Sequence, residues 1–247
     1  MFGAMKTSGA IFSLTTITLS LLGIAASHGA SYNWDAGSGL FPNQVDSRMA
    51  LFDTSPTFDP ALAGGVLTLQ TTGTESMFYL QSAVDLAMPI NLVIDFNVRY
   101  ISGSTTKPGE THIGIFFNTL DNVGGIVMVR LGSVASIAPG GAVRQTSAAS
   151  TDDAYHDYKV SVAGTAIGST FTVFQDSVPI LTDTLSTVST PTRVAFGDGA
   201  TAAFGVSEWK SFSHNASAVP EPSTWAIILG SVGMFAGGRR FGRKNKA

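Results

Sequence analysis

Hydrophobic and polar positions alternate with a period of two through residues 31–215, and no segment there keeps the 3.6-residue period of an amphipathic helix. The clearest alternation runs from Leu92 to Tyr100. Ile94, Phe96, Val98 and Tyr100 share one face; Val93, Asp95, Asn97 and Arg99 share the other. One face is expected to be buried and the other polar. Further strands are predicted over Val66–Gln70, Met77–Leu80, His112–Asn118, Gly125–Leu131, Tyr155–Val162, Thr170–Gln175, Thr192–Phe196 and Val206–His214. The spacers are rich in Gly, Ser, Thr, Pro and Asp, which supply tight turns. Roughly ten short strands of this kind predict an all-β fold, two antiparallel sheets packed as a sandwich or jelly roll. In Ile113–Phe117 and Ile126–Val129 the alternation is lost. Such strands are expected to be covered on both sides or to line a concave apolar face.

The ends follow other rules. Residues 1–30 carry one early positive charge, Lys6, an uncharged apolar run from Ala10 to Ala26, and then small residues. That is the layout of a secretory signal peptide, with cleavage expected between Ser27 and Ala30. Residues 216–247 place Pro220-Glu221-Pro222 before an uncharged apolar segment, 224–238, and a basic end, 239–246. The prolines hold the tripeptide extended and keep it out of the helix expected behind it. Trp225 suits a membrane interface, and Arg239, Arg240, Arg243, Lys244 and Lys246 favour the cytoplasmic side as a membrane stop.

This tail resembles the PEP-CTERM sorting signal of exported bacterial proteins. The resemblance implies processing by an exosortase, a multispanning membrane cysteine peptidase, with Pro220, Glu221 and Pro222 as the recognition element. It also implies transient membrane anchoring through the C-terminal helix and delivery to the cell surface or extracellular matrix. Proteins with this tail are often linked with exopolysaccharide and biofilm. The apolar segment is short and Gly-rich, which suits a transient span.

Composition sharpens the view of what lies between. The 247 residues include no cysteine, 27 glycines and only 13% charged residues, against roughly 25% in an average soluble domain. The whole chain sums to −3, but residues 31–219 hold eight basic and 16 acidic residues, a net charge of −8. An acidic body of this kind cannot displace counterions from a phosphate backbone, so nucleic-acid binding is excluded. The lack of cysteine removes disulfides, thiolate zinc sites and cysteine nucleophiles together.

Candidate chemistry is sparse. Glycosidases built on a sandwich need two carboxylates close together, seen in sequence as Glu and Asp at alternate strand positions. Glu75, Glu110 and Glu208 are far apart, and Asp95 shares its face with Asn97, so no such pair occurs within one strand. Tyr155, His156 and Arg130 are the residue types of a polysaccharide lyase, without the Gln-x-His arrangement typical of one. His112 and His214 have no partner at metal-ligand spacing, and there is no Gly-x-Ser-x-Gly elbow. Calcium is the one ion with candidate ligands, at Asp121-Asn122, Asp152-Asp153 and Asp198 in expected loops. No other cofactor is implied. For stacking on a pyranose ring the candidates are Trp34, Tyr100 and Trp209, with Tyr32 beside them.

A second resemblance covers the last hundred residues or so of the body. Tyr155-His156-Asp157-Tyr158-Lys159-Val160, Phe171 to Val178, Arg193-Val194-Ala195-Phe196-Gly197-Asp198 and Gly205 to Lys210 are similar to the final strands of concanavalin A-like lectin/glucanase and laminin G-like domains. Ser177 stands where such domains usually have Gly after an Asp. The sequence is thus divided into a signal peptide (1–30), a β-sandwich (31–215) and a sorting tail (216–247). The expected function is that of an exported, non-enzymatic surface or matrix protein, with glycan binding as its activity. A polysaccharide lyase or hydrolase with an unrecognised site and a purely structural matrix protein are the alternatives.

Overall fold

The computed structural model describes residues 31–218 apart from 83–85, 106–110, 121, 139–140, 153, 189–192 and 200–202. The segments expected to be a signal peptide, a sorting motif and a basic membrane stop lie outside the described residues. So do Glu110, Asp121 and Asp153.

Along the chain the strands are β1 (Tyr32–Asp35), β2 (Ala50–Asp53), β3 (Ala61–Ala63), β4 (Val66–Thr71), β5 (Met77–Ser82) and β6 (Leu86–Ala87). There follow β7 (Val93–Thr105), β8 (Gly114–Leu120), β9 (Val123–Arg130), β10 (Ser133–Ile137), β11 (Val143–Ala148) and β12 (His156–Ala163). The last are β13 (Thr170–Gln175), β14 (Val178–Thr184), β15 (Ser186–Thr187), β16 (Arg193–Asp198), β17 (Ala203–His214) and β18 (Ser217–Ala218). Among the described residues helix is confined to a 3₁₀ turn at Ala36–Ser38 and one α-turn at Pro42–Val45. Among the described residues no helix is long and apolar enough to cross a membrane.

The first sheet runs β14-β13-β12-β7-β17-β4-β3, with β1 also paired to β17. The second runs β11-β10-β9-β8-β16-β5-β2, with β15 paired to β9. Among the described residues every strand pairing is antiparallel, and the short β6 and β18 pair with each other. All nine predicted strands are present, with ends shifted by a few residues. The alternation in β7 has the expected consequence: Ile94, Phe96, Val98 and Tyr100 are buried, and the residues between them are partly exposed.

The sheets meet through aromatic rings. Phe196 of β16 packs against Phe212 at 4.3 Å between centroids, Trp209 at 4.9 Å, Tyr79 at 5.5 Å and Trp34 at 6.1 Å. Trp209 and Phe212 belong to β17 and Trp34 to β1, all in the first sheet, so one ring of the second sheet joins four others into a single stack. Both indole N–H groups are satisfied inside the core, Trp34 donating to the Leu40 carbonyl at 2.7 Å and Trp209 to Ser207 Oγ at 3.0 Å.

The strands without alternation are also explained. Ile113, Ile115, Phe117, Val127 and Val129 face this core, while Met128, Ala135 and Ile137 form a second buried cluster with Phe116 and Ile126 on the opposite face of the second sheet. The β13–β14 hairpin closes on Asp176 and Ser177, at φ 49° and 69°. Both central residues are left-handed, so the turn is tight although Ser replaces Gly. Its extra anchor is Asp176, whose Oδ1 accepts from the Asp157 amide at 3.0 Å and whose Oδ2 meets His156 Nδ1 at 2.6 Å.

Because Phe196 links both inner faces, Phe196→Ala is expected to lower unfolding free energy by about 3–5 kcal/mol in a urea titration. A loss below about 1 kcal/mol would show that the neighbouring rings close over the gap.

Candidate functional site

The three aromatic side chains proposed from sequence as sugar contacts do not reach solvent. Trp34 and Trp209 are 0% exposed and Tyr100 is 6% exposed. Tyr32 is buried as well. This corrects the expectation. Period-two alternation puts each of these rings on the inner face of its strand, where it fills the core.

The histidines are also interior groups. His112 donates from Nε2 to the Val206 carbonyl at 3.1 Å, and its ring occupies space above Gly103 and Gly205. A Cβ at either glycine would lie within 2.6 Å of that ring, so the pair of glycines makes room for it. His214 stacks on Tyr32 at 5.5 Å and binds Gln81 Oε1 through Nε2 at 2.8 Å. Burial lowers both imidazoles to a pKa of about 4, so both are neutral at pH 7.

The lyase-type residues are not assembled. Tyr155 donates its hydroxyl to Glu208, His156 is held by Asp176, and Arg130 lies on β9 of the other sheet. Glu208 also accepts from Arg99 Nη2 at 2.7 Å. Burial pushes the Glu208 carboxyl up, but the hydrogen bonds from Tyr155 and Arg99 outweigh it and hold the group below its ordinary range. The Tyr155 ring lies against Lys210 Nζ at 3.9 Å and the Arg99 guanidinium at 4.8 Å, so two cations hold it. Of the calcium candidates, Asp198 is buried and accepts from Thr71 Oγ1. Among the described residues no three His, Cys, Asp or Glu side chains are grouped to hold a metal ion.

What the fold does assemble lies on the outer face of the first sheet. Strand pairing sets Phe174 of β13 opposite Lys159 of β12, Lys159 opposite Asp95 of β7, Asp95 opposite Ser213 of β17, and Ser213 opposite Asn33 of β1. These five side chains form one row at right angles to the strands. Four strand spacings make the row about 19 Å long. Two clefts flank it and share Asp95. One, of about 330 Å³, is lined also by Asp157, Lys159, Ser161, Phe174 and Ser177. The other, of about 300 Å³, is lined also by Asn33, Val93, Ser213, His214 and Asn215. Volumes of this order are those of small-ligand sites.

The centre of the row is electrostatically unsettled. Burial raises the proton affinity of Asp95, Lys159 opposes that, and the Asp157 carboxylate adds to it. Lys159 Nζ is 3.8 Å from Asp95 Oδ1, with both side chains about half exposed (52% and 49%), so this pair is weak. Asp157 is tied down by Asn97, whose Nδ2 donates to Oδ1 at 2.6 Å. A second carboxylate therefore does stand near Asp95. It comes from the neighbouring strand, so no motif within one strand could reveal it, although the Asp157 in the Tyr155–Val160 strand was the available signal.

No family model matches the chain, and no curated protein matches it. Solved structures do. The metal-free carbohydrate recognition domain of Emp46p is 12% identical, with a TM-score of 0.50, over 76% of this chain and 96% of that one. A Bacillus subtilis protein of galectin-like fold is 11% identical, with a TM-score of 0.46, over 78% of this chain and 99% of that one. The Bacillus licheniformis β-glucanase is 10% identical, with a TM-score of 0.45, over 75% and 98%. At such identities the likeness is one of fold alone.

An acid whose proton affinity rises on folding destabilises the folded state when ionised, and the effect vanishes once it is protonated in both states. Asp95→Asn is therefore expected to raise the melting temperature at pH 7, with the difference disappearing below about pH 3. A lower melting temperature at pH 7 would instead make Asp95 a structural residue. The chain folds as an all-β sandwich of two antiparallel sheets, a fold similar to that of the Emp46p carbohydrate recognition domain.

Proposed function

We propose that this is an exported, exosortase-processed protein of the cell surface or extracellular matrix whose β-sandwich binds glycan without cleaving it. The observation that carries glycan binding is the row from Phe174 to Asn33, with its two clefts. It offers what a sugar needs: a partly exposed ring for a pyranose face, and carboxylate, amide and hydroxyl groups for the sugar hydroxyls. The Emp46p likeness supports a sandwich able to carry such a site, and no more than that. Export, sorting and association with exopolysaccharide rest on the two ends of the sequence. The extended Pro220-Glu221-Pro222 stands before the apolar segment and the Arg239, Arg240, Arg243, Lys244 stop.

One observation favours a second function. Asp95 and Asp157 bring two carboxylates onto one surface, as a hydrolase requires, and Asp95 has the raised proton affinity of a general acid. New reducing ends, produced from a polysaccharide by the native protein and lost in Asp95→Asn, would establish that activity in place of simple binding.

Two experiments test the main proposal. On a glycan array the purified protein is expected to show saturable binding that Phe174→Ala abolishes while the melting temperature is unchanged. No saturable binding to any glycan would leave a structural matrix protein. In cells, replacing Pro220-Glu221-Pro222 by alanines is expected to hold the uncleaved form in the membrane fraction. Release at the normal size would overturn exosortase processing.

A further inference from the structure

Two features of the Asp95 row bear on which glycan it takes. The first is direction. The row crosses five strands, β13-β12-β7-β17-β1, and its two clefts lie on either side of Asp95. A site for one terminal sugar would need one closed cleft. A row about 19 Å long, open along its length, fits several consecutive sugars.

The second is charge. The charged groups lining the two clefts are Asp95 and Asp157 on the negative side and Lys159 on the positive side, with Asp35 exposed on the same face two residues beyond Asn33. Asp176, at the rim, is engaged by His156 and the Asp157 amide. Arg99 lies two residues beyond Asn97 on the same face but is held by Glu208, and Lys210 sits over the Tyr155 ring. Among the described residues the cations of this face are therefore committed to partners away from the row, save Lys159, whose contact with Asp95 is long and half exposed. A uronate would meet two carboxylates with one lysine to offset them. A neutral sugar would leave the charge at Asp95 as it is. An ammonium group would relieve the repulsion between Asp95 and Asp157.

Resting on the carbohydrate-binding function proposed above, we infer that the ligand is the interior of a linear amino-sugar polysaccharide, laid across the strands with a ring on Phe174 and an ammonium over Asp95 and Asp157. Phe174 anchors one end by stacking. Asn33, Ser213 and Asn215 receive the hydroxyls of the sugars beyond Asp95. Lys159, a like charge beside the ammonium, limits affinity.

The test is titration calorimetry of the native protein at about pH 6, where the amine is protonated. The probes are glucosamine oligomers of two and six units, the matching N-acetylated oligomers, and oligogalacturonate. The glucosamine hexamer is expected to bind about fivefold or more tighter than its acetylated form, with the gap narrowing at high salt. It is also expected to bind more tightly than the dimer. Asp95→Asn is expected to remove the preference for the free amine, and Lys159→Gln to strengthen it. A gain of affinity from Lys159→Gln is not produced by a merely damaged fold, so the inference does not depend on Asp95→Asn alone.

Equal binding of free and acetylated hexamers would overturn the charge assignment while leaving glycan binding intact. Preference for oligogalacturonate would do the same. Equal binding of dimer and hexamer would overturn the crossing direction. Absence of binding to every glycan, on the array as well as here, would overturn the carbohydrate-binding function itself.

Discussion

The interlock around Phe196 is the constraint on which the rest of the molecule depends. A sandwich without disulfides has only its inner faces to hold its sheets together, and here one ring from β16 reaches Trp34, Trp209 and Phe212 across the interface. That stack takes both described tryptophans into the core, with their N–H groups hydrogen-bonded there. It also fixes β17 and β1 side by side, and hence the register that sets Ser213 and Asn33 in line with Asp95. The same packing that removes the tryptophans from the surface thus builds the surface row.

The outer face of the first sheet divides into a settled part and an unsettled one. Around Arg99, Glu208, Tyr155 and Lys210 each charge has a partner, and the cluster ties the segment before β12 to the sheet. Around Asp95 the charges are not balanced. Burial and Asp157 disfavour its ionised form, and a half-exposed lysine does not offset them. Natural proteins tolerate such local cost where a surface has work to do, since selection acts on function above a stability threshold.

The strands were legible because alternation reports burial directly, and β7 obeyed it at every position from Leu92 to Tyr100. Strands β1, β2, β3, β6, β10, β11, β14, β15 and β18 were not predicted. They are short, lie at or near a sheet edge, or are broken by small polar residues, as in Ser133–Ile137 and Val143–Ala148, so their pattern is weak. The Asp176-Ser177 turn lacks the usual glycine, yet it closes because Asp176 is held from both sides by His156 and Asp157. The candidate sugar contacts were misplaced for a related reason. An aromatic residue in an alternating strand belongs by default to the buried face, and its residue type alone cannot say otherwise.

By itself the sequence determined the all-β class, the faces of the main strands and the acidity of the body. These depend on local order and composition, and each is complete within a short stretch of chain. Only the tertiary structure decided which residues share a surface. Phe174, Lys159, Asp95, Ser213 and Asn33 come from five strands and lie up to 180 positions apart in sequence. What aligns them is the hydrogen-bond register between strands, a property of pairs of strands that no single strand encodes.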